Sequence, residues 1–284
     1  MKFDLSSGKQ RPLFEFRQKR EPLPAQDFFR KKYIRTFTII LTAFILYIVS
    51  AVMTGFTAWN AFTGIPRGLY WLIRSFMPST KSYSALPLIF KTSMHTAVIA
   101  VAASTAAFCI ACIAALASSQ TTGRSIVLRI ICTGIASFFR NIPLPAWSIL
   151  LLLSFRQNAV TGFFALLFIT AGHLTRAFAE IIDCHAEESH TALQAAGVSY
   201  LPIIIHGVLP NTLPLFISWL LYAIETNVRD SALIGILTGT GIGFLFNLYF
   251  KSFRYSEAGL IICILMIVVL AIDTLSNAIR RILL

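Results

Sequence analysis

Apolar residues along this chain are gathered into long runs, and most of the charged residues lie between the runs. An α-helix rises about 1.5 Å per residue, so about 20 apolar residues cross a hydrocarbon core roughly 30 Å thick. The pattern therefore predicts an all-α integral membrane protein with about six transmembrane helices. The expected spans are 36–58, 92–117, 143–155, 159–175, 212–235 and 258–275.

Three of the connections between the runs have residues that predict where each connection lies relative to the membrane. The segment 59–91 is rich in aromatic residues and is expected to be an extracytoplasmic loop near the membrane interface. Within 118–140, a spanning helix would hold Arg129 in hydrocarbon at a cost of about 3 kcal/mol, so an interfacial cytoplasmic helix is expected there. The longest polar stretch, 177–211, is expected to be a cytoplasmic loop.

The composition excludes an ordinary soluble globular protein, because 56% of the residues are hydrophobic, 13% are charged and the mean hydropathy is +0.74. Ten of the 24 Lys and Arg residues precede Thr36, which predicts that 1–35 is a basic cytoplasmic extension. An even number of spans then places both termini in the cytoplasm. Orientation and anionic lipid explain the net charge of +12, so nucleic acid is not expected as a partner.

The cysteine and histidine residues do not form a recognisable metal-binding or redox motif. Cys109 and Cys112 lie within an apolar run, where packing is the expected role. His185 and His190 are five residues apart and do not share a helix face, so a solvated loop is expected rather than a metal site. His95 and His173 are expected to be packing or interfacial residues, although each lies near or within a span.

One motif lies inside the polar stretch 177–211. Thr191-Ala192-Leu193-Gln194-Ala195-Ala196-Gly197 is followed, nine residues later, by Gly207-Val208-Leu209-Pro210. This resembles the cytoplasmic loop signature of binding-protein-dependent ABC importer permeases, in which Glu-Ala-Ala, three residues and Gly precede Leu-Pro. The resemblance implies an ATPase-docking loop whose residues are Thr191, Ala192, Ala195, Ala196, Gly197, Leu209 and Pro210.

The residue types suit such a loop. A helix from about Glu187 to Ala196 can present a face of small side chains, and Gly197 can adopt the positive φ that stops a helix. Leu209-Pro210 can then start the next helix. The family's leading Glu falls on Thr191 here, which puts any salt bridge made by that residue in doubt, and Glu187 and Glu188 lie one turn earlier.

Further stretches resemble phosphonate permeases in particular. They are Arg140-Asn141-Ile142-Pro143, Leu193 to Ser199, Glu225-Thr226-Asn227-Val228-Arg229, and Gly235 to Gly243. The resemblance implies a type I ABC importer permease fold, with a core over 92–278 and a coupling loop over 178–211. It also implies a bacterial inner membrane location and, as cargo, phosphonate or a related phosphorus oxyanion.

The same resemblance implies an assembly. Two copies of the chain are expected to join two cytoplasmic ABC ATPase subunits, and an external substrate-binding protein is expected to deliver the cargo. ATP and Mg²⁺ would be bound by the ATPase partner. Accordingly, no catalytic residue, metal site or cofactor is expected in this chain, and no Gly-x-x-x-x-Gly-Lys-Ser/Thr occurs in it.

A possible translocation path or gate is predicted from six residues in the second half of the chain. Glu225 and Arg229 are four residues apart, hence on one helix face, and they form either part of an anion path or a structural ion pair. The alternating glycines favour a tight turn or a re-entrant bend. The six candidates are Glu225, Asn227, Arg229, Gly239, Gly241 and Gly243.

Three alternatives stay open from the residues alone. The loop signature is also shared by ABC permeases for other small solutes, such as methionine or another amino acid. A polytopic membrane enzyme would be expected to cluster His and acidic residues at one membrane face, as only the poorly spaced His185 to His190 segment does. A stand-alone secondary transporter would be expected to show two matching halves with broken helices.

Overall fold

The chain folds into helices throughout the residues that its computed structural model describes, which are 25–80 and 82–283. The predicted extension 1–35 therefore lies largely outside the described residues. A short 3₁₀-helix covers Ser82–Ala85 and a π-helical segment covers Ile203–Val208. The α-helices are α1 Ala25–Thr54, α2 Ala58–Phe76, α3 Leu86–Ser118, α4 Ile126–Asn141, α5 Leu144–Phe155, α6 Ala159–His185, α7 Glu187–Ala195, α8 Tyr200–Pro202, α9 Leu209–Thr238, α10 Gly241–Lys251 and α11 Tyr255–Leu283.

The helices form two compact units, one that ends at Leu69 and one that begins at Tyr70. Among the described residues, five helical stretches are long and apolar enough to cross a membrane, and α4 with α5 makes a sixth if the bent pair counts as one span. The prediction of an all-α protein with about six spans is confirmed.

Some boundaries differ from those expected. The segment 59–91 holds the amphipathic helix α2, and α3 already begins at Leu86, so this connection is mostly helical rather than an open loop. α6 continues to His185, ten residues past its expected end, because Phe178, Ala179 and Ile182 keep an apolar face buried beyond Arg176. The glycine-rich segment after α9 likewise contains a helix, α10.

A sharp bend separates α4 from α5. The two axes differ by 94°, and the break lies at Ile142 and Pro143. Proline lacks an N–H donor and forces the preceding residue out of the helical region, and Ile142 has ψ 121°. α4 also packs closely on α6, since a Cβ built on Gly172 would lie 2.7 Å from the Ala136 carbonyl oxygen. The helix expected at the membrane interface therefore packs against α6, and together with α5 it forms a bent pair.

Small residues bring α3 and α6 together at the centre of the second unit. Five alanines of α3 are completely buried at spacings of three and four residues, which places them along one face. Small side chains allow close helix approach in lipid, where packing rather than the hydrophobic effect drives association. The five are Ala100, Ala103, Ala107, Ala111 and Ala115.

Candidate functional site

The predicted docking loop begins with α7 and ends in a well-formed helix stop. Gly197 has φ +78°, its N–H donates to the carbonyl of Gln194 at 3.0 Å, and the Val198 N–H donates to the carbonyl of Leu193 at 3.2 Å. These two bonds define a Schellman motif, which requires a left-handed residue at the position of Gly197. Leu193 and Val198 are half-buried against the core, so the turn is anchored on its inner side.

The outer side of this turn is exposed and built from small side chains. The Thr191 hydroxyl donates back to the Glu187 carbonyl of its own helix at 2.8 Å, so it does not extend outward as a glutamate would. His190 is buried, which corrects the expectation that His185 to His190 form a solvated loop. The exposed members of the predicted docking set here are Thr191, Ala192, Ala195, Ala196 and Gly197.

Leu209 and Pro210 do start α9 and are exposed, but no break precedes them. Residues 200–238 form one helical stretch, with the π-helical segment Ile203–Val208 joining α8 to α9. Pro210 has no N–H to donate, so the regular hydrogen-bond ladder is interrupted at that point. The amide of Asn211 donates to the Ser189 hydroxyl at 2.8 Å and to the Gly207 carbonyl at 3.0 Å, which ties α7 to the base of α9.

A second set of contacts joins this loop to the ends of α3 and α6. The Tyr200 hydroxyl donates to the Thr122 carbonyl at 3.0 Å, and the Arg124 guanidinium lies 4.3 Å from the centre of the Tyr200 ring. Asp183 accepts hydrogen bonds from the Ser119 hydroxyl at 2.5 Å and from the N–H groups of the next two residues at 2.9 and 3.1 Å. The turn between α3 and α4 is therefore held from both sides.

The sequence pattern did not single out Asp183, Tyr200 or the 119–124 turn. The one available signal was Asp183 itself, an acidic residue that directly follows the apolar pair Ile181 and Ile182 in the chain. A partner 64 positions away along the chain leaves no mark in local periodicity.

The structure divides the predicted translocation residues into separate places. Glu225 and Arg229 form the expected ion pair at 2.7 Å, with side chains 17% and 55% exposed. Asn227 instead is buried, and its amide donates to the Ser104 hydroxyl at 2.8 Å and the Thr170 hydroxyl at 2.9 Å. Asn227 thus links α9 to α3 and α6 on a different face of α9 from the pair.

The glycines form the tight turn between α9 and α10. Gly239 and Gly241 have φ +70° and +63°, where a side chain would be strained. Gly243 has no such φ, but a Cβ there would overlap the Ala232 carbonyl oxygen, so it permits close packing of the two helices. The Ile242 N–H donates to the Thr96 hydroxyl at 3.1 Å. The turn borders a cavity of about 380 Å³ lined also by His95, Gln157, Asn158, Ser231 and Thr240.

Comparison with solved structures and families defines the class of protein. The fold is similar to that of the MetNI methionine ABC transporter in inward-facing conformations, with a TM-score of 0.63 and 18% identity, covering 71% of this chain and 98% of that one. Residues 107–284 match the family described as the binding-protein-dependent transport system inner membrane component. The chain belongs to this family, and the predicted permease family is confirmed.

Two relatives with assigned names are similar to this chain in sequence. The phosphate-import permease protein PhnE of Mycolicibacterium smegmatis is 28% identical over 172 residues, which are 61% of this chain and 32% of that protein. The phosphite transport system permease protein PtxC of Stutzerimonas stutzeri is 28% identical over 142 residues, which are 50% of this chain and 52% of that protein. The chain therefore spans about a third and about half of these relatives. Both are named for phosphorus oxyanions, in agreement with the predicted subfamily.

Proposed function

We propose that this chain is the membrane-spanning permease subunit of an ATP-driven ABC importer that carries phosphonate or a related phosphorus oxyanion across the bacterial inner membrane. The observation that carries the proposal is the exposed small-residue face of α7, closed by the Gly197 turn and hydrogen-bonded to the bundle. Such a face suits docking in a cleft of a cytoplasmic ATPase, because it offers shape and apolar contact with little side-chain entropy to lose.

The contacts around the docking loop suggest how an ATPase motion would reach the spans. A displacement of α7 would move α9 through the Asn211 to Ser189 bond, and it would move the turn after α3 through Tyr200. Asp183 would pass the second movement to α6. Alternating access then requires no catalytic residue in this chain, and ATP and Mg²⁺ belong to the partner ATPase.

The assembly proposed is a pair of permease copies with two ATPase subunits and an extracytoplasmic substrate-binding protein. The chain lies in the membrane with both termini cytoplasmic, which the ten basic residues before Thr36 and the terminal Arg280 and Arg281 favour. The docking loop is then on the same side as the ATPase.

The cargo proposal rests on the phosphonate-like stretches of the sequence and on relatives named for phosphate and phosphite. The likeness to a methionine transporter concerns the fold and does not bear on cargo. An ABC permease for methionine or another amino acid is the alternative that the test must exclude.

The test uses the full chain purified with its candidate ATPase and binding protein and reconstituted in liposomes. We expect ATP hydrolysis to rise with binding protein loaded with phosphonate or phosphite and not with methionine. Gly197→Val should abolish the rise, since a β-branched residue is strained at φ +78°, whereas Gly197→Asn tolerates that conformation and should retain it. Failure of the wild-type chain to bind an ATPase, or equal stimulation in both variants, would reject the docking loop.

A further inference from the structure

A cavity with a volume of about 690 Å³ lies between α4 and α6. Its lining is strongly polar for a membrane protein. Three arginines, two carboxylates and several hydroxyl groups face it, and none of them was among the residues that the sequence pattern assigned to a path. The charged lining residues are Arg129, Arg140, Arg176, Glu180 and Asp183.

The basic residues of α4 lie along one face of that helix. Arg129, Thr133, Ser137 and Arg140 follow one another at spacings of four, four and three residues, and all four line the cavity. Arg129 and Arg140 are therefore about 16 Å apart along the helix axis, at about 1.5 Å per residue. The cavity runs along α4 with an arginine near each end.

Arg140 is half-buried where α4 meets α6. A Cβ built on Gly172, at the midpoint of α6, would lie 2.9 Å from the Arg140 backbone nitrogen, so the two helices touch there. The Arg140 Nε atom is buried and has no hydrogen-bond partner. A guanidinium group that is partly withdrawn from water favours an anionic partner, because an uncompensated charge is costly in a region of low dielectric constant.

The carboxylates that the structure describes do not supply that anion. Within the described residues, no carboxylate oxygen lies within 4.0 Å of Arg129, Arg140 or Arg176, and the only ion pairs found involve Arg229 and Arg254. Asp183 is engaged by three hydrogen bonds from the turn after α3. Three arginines against Glu180 and Asp183 leave the cavity with a formal excess of one positive charge.

We propose that this cavity binds a phosphorus oxyanion, with Arg140 at its deep end and Arg129 and Arg176 nearer the cytoplasmic end of α6. A tetrahedral oxyanion offers several acceptor oxygens to guanidinium donors, which match phosphate-type geometry. The ligand is either the transported ion or the phosphate of an anionic lipid. The choice of a transported phosphonate rests on the proposed function, whereas the anion site itself does not.

The first experiment measures anion binding by the purified full-length chain alone, by ³¹P NMR titration with methylphosphonate in neutral detergent. Arg140→Gln should weaken binding roughly tenfold to a hundredfold, the range expected for a lost charge-assisted hydrogen bond. Arg140→Lys keeps the charge and should retain more affinity. Arg254→Gln removes an exposed arginine that is paired with Glu257, and it should bind like the wild type.

A second experiment distinguishes the transported ion from the lipid headgroup as the ligand of the cavity. The same titration is made in nanodiscs of phosphatidylcholine, with and without phosphatidylglycerol. Binding of methylphosphonate that persists with phosphatidylglycerol identifies the transported ion. Competition by phosphatidylglycerol, with lipid retention lost in Arg140→Gln, identifies the headgroup. Because Arg140→Gln could disturb folding, Arg129→Gln at the outer end of the cavity serves as a second variant, with a smaller loss expected.

Either of two results would overturn the inference. One is that wild type, Arg140→Gln and Arg129→Gln bind methylphosphonate and phosphatidylglycerol with unchanged affinity. The other is that the wild type binds neither of them. These outcomes do not depend on an ATPase. If anion binding depends on Arg140 but the chain does not couple to ATP hydrolysis, the anion site is supported and the proposed function is rejected.

Discussion

The Tyr200 hydroxyl donates a 3.0 Å hydrogen bond to the Thr122 carbonyl, which connects the docking loop to the turn between α3 and α4. The two residues are 78 positions apart in the chain. The bond is one of the few direct polar links between the exposed α7–α8 segment and the bundle, so its removal tests whether that segment moves the bundle.

Tyr200→Phe should lower stability by about 1 kcal/mol, because it removes one net hydrogen bond while keeping the ring beneath Arg124. It should also reduce the substrate-stimulated part of ATP hydrolysis in the reconstituted transporter, while basal hydrolysis stays. The measurements are denaturant unfolding of the purified chain and ATPase rates with loaded binding protein. Tyr222→Phe, on the exposed side of α9, is the control. Unchanged stimulation in Tyr200→Phe would contradict the coupling role of this bond.

Asp183→Asn should destabilise the chain by about 1–3 kcal/mol, since the carboxylate accepts three hydrogen bonds, two of them from backbone N–H groups. All three bonds end on Oδ1, an oxygen that asparagine keeps, so the loss comes from replacing a charged acceptor with a neutral and weaker one. Hydrogen exchange is expected to rise in 119–124 before it rises elsewhere. Asp273→Asn on α11, whose carboxylate accepts a local hydrogen bond from Asn277 one turn away, should have little effect. If the amides of 119–124 stay protected from hydrogen exchange in Asp183→Asn, the charged hydrogen bonds of Asp183 are not needed to hold this turn.

Asn227→Ala should cost about 0.6 kcal/mol and at most about 1.7 kcal/mol, the average and the maximum for interhelical hydrogen bonds in a membrane protein. The cost stays modest because the Ser104 hydroxyl also bonds to the Ala100 carbonyl of its own helix at 2.8 Å. Unfolding in mixed detergent micelles measures the change, with Asn277→Ala on an exposed face as the comparison. Loss of transport without loss of stability would instead favour a direct role of Asn227 in the path.

Gly243→Ala should disrupt the contact of α10 with α9, because the new methyl group would overlap the Ala232 carbonyl oxygen. A destabilisation of about 1–3 kcal/mol is expected from such overpacking. Gly134→Ala is the matched case, since a Cβ there meets nothing within 4 Å, and helix propensity favours alanine by up to about 1 kcal/mol. Thermal unfolding of both variants should therefore move in opposite directions, and a neutral Gly243→Ala would refute the close packing.

Local patterns were sufficient for the class of fold and for the docking turn. Apolar runs of membrane length gave the number of spans to within the bent pair. A helix satisfies its own backbone hydrogen bonds in lipid, so a run of apolar residues long enough to cross the membrane indicates a spanning helix. The Gly197 turn was likewise predictable, since a Schellman motif depends on residues within six positions of one another. The pair Glu225 and Arg229 formed as its four-residue spacing indicated.

Contacts between distant segments could not be predicted in this way. Asn227 was grouped with Arg229 because the two are neighbours in the chain, yet the bundle places Asn227 between α3 and α6 and leaves Arg229 exposed. The charges of Arg129 and Arg140 predicted a helix at the membrane interface, but not that this helix would pack against α6 at Gly172. Periodicity records which side of a helix is apolar or charged, but the partner of that side depends on how all the helices pack at once. The folded bundle therefore decided that these arginines line a shared cavity.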